Sequence, residues 1–130
     1  MAIVHYDVVF PNETPNLEKV KQRLDQRTGL KTLLSVDRLE EVHSWPHIGE
    51  VRQSGTFECD EAADSDLEMT IGTKGVRISC VPDSIHPWFR DSAIATLVDL
   101  GGKWEARLSP LIAKKWSELS AGDRQIGGHH

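Results

Sequence analysis

The fold of this chain follows from residues 67–81, which read LEMTIGTKGVRISCV. Apolar and polar residues alternate on both sides of a two-residue loop, Thr73-Lys74, and a glycine flanks the loop on each side. This pattern predicts a β-hairpin whose register is set by its loop. The predicted register places all six apolar side chains on one face, in the pairs Ile71 with Val76, Met69 with Ile78, and Leu67 with Cys80.

Alternation elsewhere predicts that the hairpin belongs to a larger antiparallel sheet. Residues 2–10 alternate as a first strand, and period-two alternation returns between Ile48 and Cys59. The sequence between these segments is ambiguous. Thr32 to Val36 are typical of a short strand, whereas three later apolar residues have helical spacing. Pro46 disfavours a helix at this point, so we expect a strand followed by an irregular turn over residues 30–47.

Helices are predicted before and after the strands of the hairpin. For the first helix we expect Thr14 to be the cap, Pro15 to occupy the first helical position and Gly29 to lie just past the end. A second helix is expected to start within Pro82-Asp83-Ser84, with Ser84 as its cap and Pro87 in its first turn, and a third is expected to be capped by Ser109.

The predicted order of elements is β-α-β-β-β-β-α-α. This order defines an α+β fold with the helices packed on one face of an antiparallel sheet of four to five strands. The length of 130 residues fits one domain. We expect that domain to span residues 1–122, and residues 123–130 to form a C-terminal tail whose Gly-Gly-His-His ending resembles the start of an expression tag.

Composition excludes several classes of protein. The chain has 20 acidic and 15 basic residues, a formal charge of -5, whereas nucleic-acid binding needs a basic face. Its apolar runs are far shorter than the roughly twenty residues of a membrane-spanning helix, and its first residues lack the pattern of a signal peptide. We therefore expect a cytoplasmic protein that binds neither nucleic acid nor membranes. Cys59 and Cys80 have the apolar parity of their strands and should be buried, reduced and inert.

Two histidines are candidates for metal binding. His43 and His47 would share one face of a continuous helix, as metal ligands often do. Pro46 interrupts such a helix, and no second cluster of ligands accompanies them. The alternative is a pair of surface histidines in a turn, so no metal and no cofactor are predicted.

A second group of polar residues has the spacing of catalytic side chains. His5 and Asp7 lie on one face of the first strand, where a carboxylate could orient an imidazole. His86 precedes Pro87 at the start of a helix and is the third candidate. No nucleophile accompanies them, because no GxSxG motif exists and the serines near turns are explained as helix caps. With these residues as its polar groups, the protein would be a small-molecule-binding protein or a hydrolase with a pocket between sheet and helices.

Acidic residues and tryptophans favour protein interaction instead. Six acids fall within eleven residues around one loop, and Asp60, Glu61 and Asp64 are predicted to attract a basic partner, the alternative being a solvated turn. Trp45 and Trp88 lie beside prolines, where a half-exposed ring can anchor an interface; the alternative is packing at the edge of the core. We therefore predict a small acidic, non-catalytic protein-interaction domain of accessory, antitoxin or immunity type. It would bind a protein partner or form a homodimer through a sheet edge or its helical face.

Overall fold

The structure is a computed structural model that describes residues 2–62 and 65–124. Within these ranges it has six strands and two α-helices, so the predicted α+β class is confirmed. The strands are β1 (Val4–Val9), β2 (Leu33–Val36), β3 (Ser44–Trp45), β4 (Gly49–Cys59), β5 (Ser65–Gly72) and β6 (Gly75–Cys80). The helices are α1 (Leu17–Thr28) and α2 (Pro87–Asp99).

All strand pairs are antiparallel, and the sheet has the order β1-β6-β5-β4-β2, with β3 paired to β4. The hairpin prediction is confirmed, because β5 and β6 flank Thr73-Lys74. Met69 lies opposite Ile78, and Ile71 lies opposite Val76, as the loop length required. The hairpin therefore occupies the middle of the sheet and fixes which face becomes the core.

Both helices lie on the apolar face of the sheet. Leu24 of α1 and Ile94 of α2 belong to one buried cluster with Met69 and Ile78 of the hairpin. Burying a side chain of this size contributes about 1.5–3 kcal/mol relative to leaving it in water. The predicted packing of helices on one face of the sheet is confirmed, and the opposite face has no helix over it within the described residues.

The first helix begins later than the sequence predicted. Asn16, and not Thr14, is the N-cap, and its side-chain oxygen accepts a hydrogen bond of 2.8 Å from a backbone N–H of the first turn. The hydroxyl of Thr14 donates instead to the carbonyl of Gly72 at 2.8 Å, and Pro15 lies before the helix. Gly29 ends the helix in the left-handed conformation with φ of 74°, as predicted.

Residues 30–47 form no helix. The predicted short strand is β2, and the chain then leaves the main sheet and returns as the two-residue strand β3, where Trp45 lies opposite Gly49. The prediction of a strand followed by an irregular segment is confirmed. Pro46, directly after Trp45, is consistent with that outcome because it restricts the preceding residue to extended conformations.

The second helix starts later than predicted, with His86 and not Ser84 as its N-cap and with Pro87 as its first residue. Residues Pro82–Ser84 form a separate 3-10 helix, and Ile85 is extended, with φ of -130° and ψ of 139°. His86 is the N-cap of α2 and is also extended. Pro87 explains the break, since a proline excludes the residue before it from the helical region.

The predicted third α-helix is replaced by two 3-10 helices. Ser109 caps the first, Pro110–Ala113, and the second is Trp116–Glu118. Lys114 between them is extended, with φ of -101° and ψ of 144°, so helical hydrogen bonding stops there. Trp116 is nevertheless buried, as its spacing predicted.

The described residues contain no helix that is long and apolar enough to cross a membrane. The domain boundary at residue 122 stays a prediction. Residues 125–130 of the predicted tail lie outside the described residues.

Candidate functional site

The candidate site is the face of the sheet opposite the helices, which we call the open face. Side chains alternate between the two faces of a strand, so the positions that the core leaves unused all project here. The residues on this face are mostly polar, and several of them are exposed. The side chains that define the open face are His5, Asp7, Glu58, Asp66, Glu68, Arg77 and Ser79.

Three of its side chains form a connected group with Trp45. Arg77 donates from Nε to Oδ1 of Asp7 at 2.7 Å and from Nη2 to Oδ2 at 3.0 Å. The guanidinium carbon of Arg77 lies 4.2 Å from the centre of the Trp45 ring, which is cation–π geometry. The rings of His5 and Trp45 are nearly perpendicular, with 6.3 Å between their centres. These contacts hold Trp45 over the open face with part of its surface exposed to solvent.

The pairing of β1 with β6 explains why these side chains meet. Asp7 lies directly opposite Arg77, and His5 lies directly opposite Ser79. The backbone N–H and C=O of Val9 both bond to Lys103, which lies on the side of β1 away from β6. Backbone groups alternate in direction along a strand, so those of His5 and Asp7 also point away from β6. His5 and Asp7 therefore occupy non-hydrogen-bonded pairs, in which opposed side chains approach most closely.

The structure does not join the catalytic candidates into a triad. Nδ1 of His5 and Oγ of Ser79 lie 2.7 Å apart, which is hydrogen-bond distance. Asp7, which the sequence placed on the same face as His5, uses both carboxylate oxygens to bind Arg77. No carboxylate among the described residues orients the His5 ring, and that role is required in a Ser-His-Asp mechanism.

The open face also carries carboxylates that no cation of the described residues neutralises. Glu58 of β4 lies directly opposite Asp66 of β5, and Glu68 follows Asp66 on the same face. All three are exposed, and none forms a salt bridge with another residue in the described part of the chain. Directly opposed like charges destabilise a sheet, by an amount similar to the roughly 0.2–1 kcal/mol that favourable cross-strand pairs contribute.

The acidic residues singled out in the sequence extend this negative region. Asp60 and Glu61 are exposed and lie in a 3-10 helix, Asp60–Ala62, directly after β4. Asp64, the third of the predicted interface acids, lies outside the described residues.

A hollow of about 330 Å³ adjoins this part of the open face. Its polar lining includes Asp66, Glu68 and Ser79, and its apolar lining includes Ile3 and Leu67. The space between sheet and helices, where the sequence suggested a pocket, is instead filled by the buried core.

His86 and Trp88 lie in the core and not at the surface. His86 is 3% exposed; its Nδ1 accepts a hydrogen bond from the backbone N–H of Trp88 at 3.1 Å, and its Nε2 lies 2.8 Å from the carbonyl oxygen of Asp123. Trp88 is 1% exposed, donates from Nε1 to the Lys114 carbonyl at 2.9 Å and packs against Trp116. The expectation of a half-exposed Trp88 is therefore wrong, because the first turn of α2 is covered by the C-terminal segment.

His43 and His47 are exposed on the segment around β3. Nε2 of His43 lies 3.7 Å from Oε2 of Glu41, a contact at the surface. Among the described residues, no group of three or more His, Cys, Asp or Glu side chains converges in a way that could hold a metal ion.

Both cysteines are buried, as their strand parity predicted. Burial raises the pKa of the Cys59 thiol to about 11 and also raises the pKa of Cys80. Both thiols are therefore protonated at neutral pH, whereas nucleophilic attack and metal binding require a thiolate.

Sequence reasoning missed Arg77 and Ser79 as members of the site, and it counted Glu58, Asp66 and Glu68 among the acids around one loop without placing them on this face. The signal was present, because the hairpin register that aligns the apolar residues also aligns these polar residues on the other face. The stacking of Trp45 on Arg77 had no such signal, since it depends on the path of the chain before β3.

Comparison with models of known protein families, with curated proteins and with solved structures finds no match for this chain. The choice of function therefore rests on the geometry and charge of the open face.

Proposed function

We propose that this chain is a non-catalytic protein-interaction domain that binds a basic protein surface on its open face. The observation that carries the proposal is the set of unneutralised carboxylates Glu58, Asp66 and Glu68 on neighbouring strands. Their mutual repulsion costs folding stability in the free protein. A cationic partner would relieve that repulsion on binding, which makes the arrangement favourable only in a complex.

The group around Trp45 would supply the apolar anchor of the interface. Tryptophan and arginine are enriched among residues that dominate binding energy. Arg77 holds the Trp45 ring from one side, and Asp7 fixes Arg77 through two hydrogen bonds. A ring held in place before binding loses little conformational entropy when it is covered. Because Asp7 neutralises Arg77, the net charge of the open face stays negative.

The continuation of negative charge through Asp60 and Glu61 fits the same role. A field of one sign speeds the encounter with a partner of the opposite sign and rejects acidic competitors. An accessory, antitoxin or immunity-type protein that covers a basic partner is the kind of role these features fit.

The test compares two variants that remove the same charge. Glu58→Gln with Glu68→Gln removes two of the three exposed carboxylates of the open face, whereas Glu13→Gln with Glu18→Gln removes two exposed charges before and at the start of α1. Each protein is immobilised, a lysate of the source cells is passed over it, and retained proteins are eluted with a salt gradient. We expect the wild type and the α1 variant to retain the same basic protein, and the open-face variant to lose it. Equal retention by both variants, or retention of acidic proteins only, would refute the proposal.

The hydrogen bond between His5 and Ser79 favours a second candidate, a hydrolase acting in the adjoining hollow. Among the described residues no carboxylate orients His5, so we expect no hydrolysis of p-nitrophenyl acetate beyond that of a His5→Ala control. Turnover that Ser79→Ala abolishes would replace the interaction proposal with this one.

A further inference from the structure

The outer edge of β1 has unpaired backbone groups. Val9 donates to the carbonyl of Lys103 at 3.3 Å and accepts from its N–H at 2.7 Å, so the backbone groups of His5 and Asp7 point the same way, out of the sheet. Within the described part of the chain, no backbone partner faces them. An unpaired strand edge is a template for another strand.

Part of the space beside this edge is open. A hollow of about 520 Å³ is lined by Asp7, Val9 and residues 103–106. The Val9–Lys103 bridge is isolated, so in the described part of the chain the backbone of Asp7 is not paired with the segment that follows Lys103. The described edge also lacks the usual protection, since Val4–Val9 contain no proline and no lysine, and Asp7 is held by Arg77 on the open face.

We propose that a second copy of this chain covers the edge, with the two β1 strands paired antiparallel about a two-fold axis beside Tyr6. In this register His5 lies opposite Asp7 of the partner subunit, and Asp7 lies opposite His5 of the partner subunit. Each of these pairs exchanges two backbone hydrogen bonds. The interface is isologous, so one edge sequence supplies both halves.

Side-chain complementarity argues for a second copy as the occupant. An imidazole and a carboxylate face each other across the axis twice, and each oxygen of Asp7 keeps a second acceptor site beside its bond to Arg77, so the cross-strand combination is favourable. The same register brings Ile3, which is 60% exposed, toward Val9 of the partner subunit, which is 47% exposed. Ile3 precedes β1 and is not part of a strand, so its backbone can turn away from the bridge at Lys103 of the partner subunit. Its side chain can then enter the hollow of about 520 Å³ on the partner subunit.

The dimer would also enlarge the open face. Residues that lie opposite each other in this register project to the same side of the sheet. The open faces of the two copies therefore lie on the same side of one continuous sheet. This arrangement does not depend on the proposed basic partner, because it follows from the edge alone.

Proline at position 5 tests the proposal. His5 directs its N–H outward, so His5→Pro removes a donor that the sheet within one copy does not use, and proline is tolerated at such edge positions. Val36→Pro is the matched control on the opposite edge: Asp37 donates inward to Ser54 at 2.8 Å, so Val36 directs its N–H outward from β2.

Sedimentation velocity of the full chain from low-micromolar to millimolar concentration gives the readout. We expect the wild type and Val36→Pro to approach the mass of a dimer, and His5→Pro to raise the dimer Kd about tenfold or more. Should His5→Pro fail to fold, Ile3→Glu takes its place, since Ile3 lies outside the strand and a carboxylate there opposes Val9 of the partner subunit.

Amide exchange provides an independent measurement on the wild type. The N–H groups of His5 and Asp7 should become protected as concentration rises, whereas that of Val36 should not. A monomer at all concentrations would overturn the proposal and leave the edge to a strand of a different protein. A dimer that neither His5→Pro nor Ile3→Glu weakens would overturn it as well.

Discussion

The guanidinium carbon of Arg77 lies 4.2 Å from the centre of the Trp45 ring, and the same guanidinium binds both carboxylate oxygens of Asp7. Through this stack, the segment between β2 and β4 is attached to the far side of the sheet, where β1 and β6 pair. The contact fixes the position of the one tryptophan that the open face presents among the described residues.

A double-mutant cycle should detect the stack. Trp45→Leu and Arg77→Met, alone and together, should show a coupling of about 0.5–1 kcal/mol in the free energy of unfolding, because the cation–π contact is partly exposed. Urea denaturation measures the four proteins. A parallel cycle of Trp45→Leu with Arg52→Met serves as the control, since Arg52 bonds to Thr14 instead. Equal couplings in the two cycles would mean that the stack contributes nothing.

Neutralising one of the opposed carboxylates should stabilise the free protein. Glu58 lies directly opposite Asp66, so Glu58→Gln removes a repulsion and should raise the free energy of unfolding by about 0.2–1 kcal/mol at low salt. Added salt screens exposed charges, and the gain should shrink accordingly. Glu13→Gln, which changes an exposed acid outside the strands, should have no comparable effect. Destabilisation by Glu58→Gln would show that the pair is not repulsive in the folded protein.

The sequence predicted the hairpin well because two independent constraints agree there. The two-residue loop and the alternation of apolar residues each specify the register, and both place Met69 opposite Ile78. The same register also predicts which polar residues of the hairpin share the open face, because it places Thr70 opposite Arg77 there.

Other parts of the fold depend on contacts that local patterns do not contain. Thr14 has a good capping side chain, but its hydroxyl bonds to Gly72 across 58 positions of the sequence, and Asn16 caps the helix instead. Trp88 stands beside a proline as an exposed anchor would, but the C-terminal 3-10 helices cover it. Tertiary packing decides such positions, so propensity and spacing misplace them.

His86 should prove to be structural. It caps α2 by accepting from the Trp88 N–H, so His86→Ala should destabilise the protein by about 1 kcal/mol or more, because the cap is lost and a cavity forms. His86→Asn should lose less, since asparagine is a preferred N-cap. Thermal unfolding measures both variants. Equal losses would show that capping is not the role of His86, and loss of partner binding without loss of stability would assign it to a site.

The buried thiols should make stability fall in alkaline solution. The pKa of Cys59 is about 11 in the folded protein, against 9.0 for an unperturbed thiol, because burial disfavours the thiolate. Between these values the folded state holds more protons than the unfolded state. The stabilisation that the buried Cys59 thiol contributes to the folded state is therefore complete below pH 9 and is lost as pH rises toward 11. In that range the free energy of unfolding falls by up to about 1.4 kcal/mol per pH unit.

Comparison with a variant isolates the thiol from other groups that titrate in this range. Cys59→Ala should flatten the decline of unfolding free energy between pH 9 and 11, and the difference between the two curves is the contribution of Cys59. Labelling with a thiol reagent at pH 8 gives a second readout, because both cysteines should react slowly in native protein and rapidly in urea. A parallel decline of unfolding free energy in wild type and variant would contradict the burial of the Cys59 thiol. Rapid labelling of Cys59 in native protein would do the same, because it would place Cys59 outside the core in solution.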